Sequence, residues 1–153
     1  MIRYVGQLSC LLIACLFARK HGGAPERATA ATLALMYVLD PAYHFIWGNL
    51  TIYQTVNIGH LAIDAIMMAL LLPIALFANR RWTLLTASAQ AVALLSHFLR
   101  SISPEMNQWV YAAFIRGPSY LQIALLFIGT ERHRRRVILM GSYPSWRVFS
   151  SQR

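Results

Sequence analysis

Residues 57–78 read NIGHLAIDAIMMALLLPIALFA, and this stretch decides the fold class. Only His60 and Asp64 interrupt it, and as a helix it is long enough to cross a bilayer, which takes about 20 residues. Further apolar blocks lie on either side, at 4–17, 28–47, 82–99 and 108–129. Of the 153 residues, 58% are hydrophobic and 12% charged, at a mean hydropathy of +0.48. A soluble domain carries about twice that charged fraction. The expectation is an all-α integral membrane bundle of about five transmembrane helices over residues 1–136. A basic, aromatic cytoplasmic tail follows at 137–153.

Breakers and charges set the boundaries. His21-Gly22-Gly23 closes the first block, and Pro25-Glu26-Arg27 opens the second, with proline tolerated in a first turn. The loop 48–56 carries no charge; Asn79-Arg80-Arg81 makes a tight turn, and Pro104 lies in the loop 100–107. Glu131 and the arginines after it stop the fifth span. The first block is short, but Arg19 and Lys20 follow it instead of preceding it, and no small-x-small site closes it. That argues against a signal peptide.

The net charge of +9 invites a nucleic-acid reading, which its distribution opposes. Four of the fourteen basic residues are Arg132, Arg134, Arg135 and Arg136, and most of the others sit at the ends of apolar blocks. Basic flanks report topology. Eleven basic residues fall on one side of a five-span arrangement, two (Arg3 and Arg100) on the other, and Arg116 lies within a span. This places the N-terminus outside and the C-terminus in the cytoplasm. Cys10 and Cys15 match neither a redox pair nor a zinc motif and read as small buried hydrophobes. No nucleophile elbow, P-loop or zincin motif occurs. Asn49-Leu50-Thr51 is a formal glycosylation sequon that matters only in a secretory membrane.

Pro25-Glu26-Arg27, His60 with Asp64, Asn79-Arg80-Arg81-Trp82, Gln90 with His97, Pro104, and Pro118-Ser119-Tyr120-Leu121-Gln122 together carry a resemblance. The chain resembles a family of small multi-pass bacterial inner-membrane proteins with no assigned activity. The resemblance implies a bacterial inner membrane and no particular chemistry.

Ionisable groups inside a span cost roughly 2.5–3.5 kcal/mol each on insertion scales and are functional candidates by default. Tyr37, Asp40, His44 and Trp47 share one helical face, as do Asn57, His60 and Asp64. Thr83, Thr86, Gln90, His97 and Arg100 form a stripe along the fourth span, a face unsuited to lipid. At the ~1.5 Å rise of a helix, Asp40 and Asp64 lie roughly 10 Å, and Arg116 roughly 12 Å, below the outer boundary. His44, His60 and His97 lie nearer to it. The polar cluster Asp40, His44, His60, Asp64, Gln90, His97 and Arg116 therefore gathers in the outer half. Arg116 is expected to pair with Asp64, or else with Asp40, because an unpaired guanidinium there is strongly disfavoured.

Three functions follow from this pattern. The first is a non-catalytic accessory subunit or assembly factor of a larger membrane complex. Its contact surfaces would be Arg132, Arg134, Arg135, Arg136, Tyr143, Trp146 and Phe149, toward lipid or a partner, and the small residues in 28–34 and 87–93. The second is a redox protein binding haem b, through His60 and His97, or a quinone. Only Gly59 clears space beside those histidines, so no cofactor is expected. No metal is expected either, because His60 and Asp64 alone are an incomplete ligand set. The third is a small transporter or channel, for which Pro41, Pro73 and Pro118 interrupt spans but no repeat appears.

Overall fold

The computed structural model describes residues 2–47, 57–103 and 105–147. The uncharged loop with its sequon, Pro104, and the tail residues Val148 and Phe149 lie outside them. Five helices follow one another: α1 (Ile2–His21), α2 (Ala24–Trp47), α3 (Ile58–Phe77), α4 (Arg81–Ile102) and α5 (Gln108–Met140). The chain is all-α. Three helices are long and apolar enough to cross a membrane: α3, α4 and α5. The other two carry more polar groups, with Gln7, Ser9, Arg19 and Lys20 on α1 and Glu26, Arg27 and Asp40 on α2.

Local chemistry fixes several helix ends. The Asn57 side chain caps α3, accepting from the amides of Gly59 and His60, and Asn107 caps α5 through Trp109. Proline lies inside α2, α3 and α5, at Pro41, Pro73 and Pro118, and each helix continues through it. The fifth helix does not stop at the arginines. It runs on to Met140 and ends at Gly141, whose φ of 74° suits a residue without Cβ. Arginine and glutamate end a membrane crossing by their charge, but both are good helix formers.

Each helix packs on its neighbours in sequence, and α5 closes the ring against α1 and α2. Leu11, Ala14 and Ala18 meet Ala30, Leu33, Trp82, Ile123 and Leu126 in the main core. Small residues let these backbones approach: a Cβ on Gly129 would overlap the indole of Trp82. Ala30, Ala87, Ala89 and Ala93, from the two alanine-rich stretches, are buried within this bundle.

The surface is apolar, and the interior holds polar side chains beside its apolar core. Leu12, Ile13, Leu16, Leu72, Leu95 and Phe127 are exposed, whereas Asp64, Gln90, His97 and Gln122 are buried. This arrangement suits a hydrocarbon solvent, in which side chains that need hydrogen bonds must find them inside.

Candidate functional site

Polar groups occupy three levels of the bundle. The middle level is closed on itself. Asp64 accepts from Gln90 Nε2 at 2.9 Å and meets His97 Nε2 at 3.0 Å. Gln90 Oε1 in turn accepts from Gln122 Nε2 at 3.0 Å, and the Tyr111 hydroxyl lies 3.0 Å from His97 Nδ1. One set of proton positions satisfies the chain: Tyr111 donates to Nδ1 and His97 donates from Nε2 to Asp64. The α4 stripe is covered from within, with Thr83, Thr86, Gln90 and His97 at 1–2% exposure and Arg100 at 8%. Arg100 donates to the Met106 carbonyl and stacks over Tyr111 at 5.5 Å.

Two expectations change here. Both oxygens of Asp64 are engaged by Gln90 and His97, not by Arg116, whose side chain lies on an exposed face of α5. The Asp64 pairing expected from depth does not form, because rotation about the helix axis, which depth ignores, turns Arg116 outward. The haem pair does not assemble either. His97 has both ring nitrogens in hydrogen bonds, His60 turns instead to His44 at 3.1 Å, and the Tyr43 ring fills the space beside Gly59.

At one end of the bundle, Asp40, His44 and His60 form a half-exposed cluster. At the opposite end lies a group whose residues read in the sequence as loop charges and topology markers. Glu26 is fully buried and accepts from Arg80 Nε at 2.9 Å. Arg80, 4% exposed, also donates to His133 Nδ1 at 2.9 Å and to the Pro144 carbonyl at 2.8 Å. A signal for it existed: Glu26 is one of only five acidic residues, set among basic neighbours at one end of the spans.

The tail completes this end. Asn79 donates its amide to the Ser145 carbonyl, and Arg147 donates its own to Phe77, so residues 145–147 lie along the α3–α4 turn. Two guanidinium groups lie over the Tyr143 ring, Arg80 at 4.4 Å and Arg136 at 4.8 Å. Trp146 bridges to Ala78 and stays 42% exposed. Arg134 and Arg135 point elsewhere, to Glu131 at 3.4 and 2.8 Å, and the Arg135 hydrogen bond holds that carboxyl below its usual range.

Between turn, tail and the end of α5 opens a cavity of about 560 Å³. Arg80, Arg81, Arg132, Arg136 and Arg147 line it with Trp82 and Tyr143, and no acidic side chain does so among the described residues. The indole nitrogen of Trp82 is buried with no hydrogen-bond partner among them. His133, beyond the apolar part of α5, also lines the cavity. Burial pushes its imidazole below the ordinary value, Arg80 and Arg136 push the same way, and Glu26 opposes them. Such a mouth suits an anion, because arginine forks match phosphate oxygens in pairs. No protein family, curated protein or solved structure matches this chain.

Proposed function

We infer that this chain is a non-catalytic, accessory-type protein of a bacterial inner membrane that holds an acidic phospholipid at a basic cytoplasmic mouth. The observation that carries this reading is the cavity lined by Arg81, Arg132, Arg136 and Arg147, with no carboxylate in its lining among the described residues. Arg80 is already matched by Glu26. A lipid phosphate in the mouth would meet the arginines, and the lipid's acyl chains would run beside the exposed Phe127 and Ile128, which precede the lining residue Gly129. Trp146, 42% exposed at the same end, is of the residue type that anchors proteins at the membrane boundary.

Orientation follows from the eleven-to-two distribution of basic residues, with the mouth in the cytoplasm. In this reading all five helices cross. Support comes from length: α1 and α2 span about 30 and 36 Å at the helical rise, and they pack in one ring with the three more apolar helices. The accessory role predicts stable co-purification with other integral membrane subunits. The buried α4 stripe no longer asks for a partner, so the bound lipid, not an uncovered face, is the proposed contact. Haem is disfavoured because freeing a nitrogen of His97 means breaking its bond to Asp64 or Tyr111. For transport, the proline-bearing helices run without the breaks that form midplane sites.

The test is native mass spectrometry of the full chain released from nanodiscs of phosphatidylglycerol and phosphatidylethanolamine. One phosphatidylglycerol should remain bound. Replacing Arg132 and Arg147 together by Gln should weaken retention by roughly 30-fold, at about 1 kcal/mol per arginine near the surface. Equal retention of both lipids contradicts the reading. Displacement by millimolar inorganic phosphate would assign the mouth to a soluble anion instead.

A further inference from the structure

The opposite end of the bundle carries a cluster that the lipid reading leaves unused. Asp40 and His44 are one helical turn apart on α2, so their side chains share a face. His60 comes from the first turn of α3. There the Asn57 side chain accepts from the His60 amide at 3.3 Å and from the Tyr43 hydroxyl at 2.7 Å. That cap ties the start of α3 to the last turns of α2 and turns His60 toward them.

Three donor atoms then face one another. His44 Nε2 and His60 Nε2 are 3.1 Å apart, while Asp40 Oδ1 lies 3.6 Å from His60 and 3.8 Å from His44. Both carboxylate distances exceed the ~2.7–3.2 Å of a hydrogen bond, so neither ring is bonded to Asp40. Yet a triangle with these sides has its centre about 2.0 Å from every corner, the bond length of zinc to imidazole nitrogen or carboxylate oxygen. Hydrogen bonding leaves further loose ends. A single bond between the two imidazoles excludes Asp40, and His44 Nδ1 is buried without a partner among the described residues.

We propose that Asp40, His44 and His60 form a binding site for one divalent transition-metal ion, with Zn²⁺ the best fit. Two imidazoles and a carboxylate favour zinc and its neighbours over soft Cu(I) or hard Mg²⁺ and Ca²⁺. Three protein ligands leave a fourth position open for water or an incoming ligand. Entry is open as well, since the Asp40 side chain keeps 40% of its exposure. His60 with Asp64 is an incomplete ligand set, and Asp64 belongs to Gln90 and His97; the partners of His60 are Asp40 and His44. The ion clamps α2 to α3.

The full chain in detergent, stripped with a chelator, is titrated with Zn²⁺ by calorimetry and with Co²⁺ as an optical probe of coordination. One ion per chain is expected, with a Co²⁺ spectrum of tetrahedral intensity. Asp40→Asn and His60→Gln, which keep side-chain shape, should each weaken binding by about tenfold or more, since even outer-shell changes cost 10–100-fold. His21→Ala should leave it unchanged. Zinc should raise the melting temperature of the parent chain and not of the two site variants. Absence of saturable one-to-one binding overturns the proposal, and so does one-to-one binding that survives both Asp40→Asn and His60→Gln.

Discussion

Glu26 and Arg80 carry opposite charges at nearly zero exposure, and the two desolvated groups are stable only together. Removing one partner of such a pair costs about 3–5 kcal/mol, because the other stays buried and uncompensated. Arg80→Met should therefore lower thermal stability in detergent sharply. Adding Glu26→Gln to it should recover part of the loss, and a double variant as unstable as the sum of the singles would contradict the pairing. His133 makes a pH prediction at the same place. Its nitrogen accepts from Arg80, so the folded protein favours the neutral ring, with a folded pKa below the ordinary value. The stability this contributes is present above about pH 6.5, the unfolded value, and is lost as pH falls toward the folded pKa. Melting temperature should drop on acidification, and His133→Gln should flatten that drop. These partners were not legible in the sequence. Separations of 54 and 53 residues join Arg80 to Glu26 and His133, and helix periodicity ranks faces without saying which faces meet.

At the level of the helices, the sequence said more. Apolar blocks and their breakers are local features, and they located all five helices and the stripe on α4. They placed the end of α5 at the arginines, about three turns short of Met140, because charge was read as a helix stop. They gave no sign that 145–147 pair with the α3–α4 turn of the same chain, a contact between distant segments. Packing between α4 and α5 depends on Gly129. Gly129→Ala drives a methyl into the rigid Trp82 indole and should destabilise by about 1–3 kcal/mol. Gly6→Ala on α1, where a Cβ meets nothing, should be neutral or stabilise by roughly 0.5–1 kcal/mol. Paired thermal melts of the two variants check this, and equal effects would contradict the close α4–α5 contact.

For the whole molecule, the proposed lipid mouth and metal site belong to opposite faces of one membrane, and this holds only if the helices cross in alternation. The interior supports that frame: Glu26, Asp64, Gln90 and His97 are satisfied inside, and Leu12, Leu72 and Leu95 face out. The most direct test is labelling of single cysteines with a membrane-impermeant maleimide, in a chain with Cys10 and Cys15 replaced by Ala. Tyr4→Cys, Ile46→Cys and Ser103→Cys, all at exposed positions, should label in intact spheroplasts. Lys20→Cys and Ser142→Cys should label only after lysis. Labelling of Tyr4→Cys and Lys20→Cys from the same side would show that α1 does not cross, and labelling of Ser142→Cys in intact spheroplasts would put the basic mouth on the wrong face.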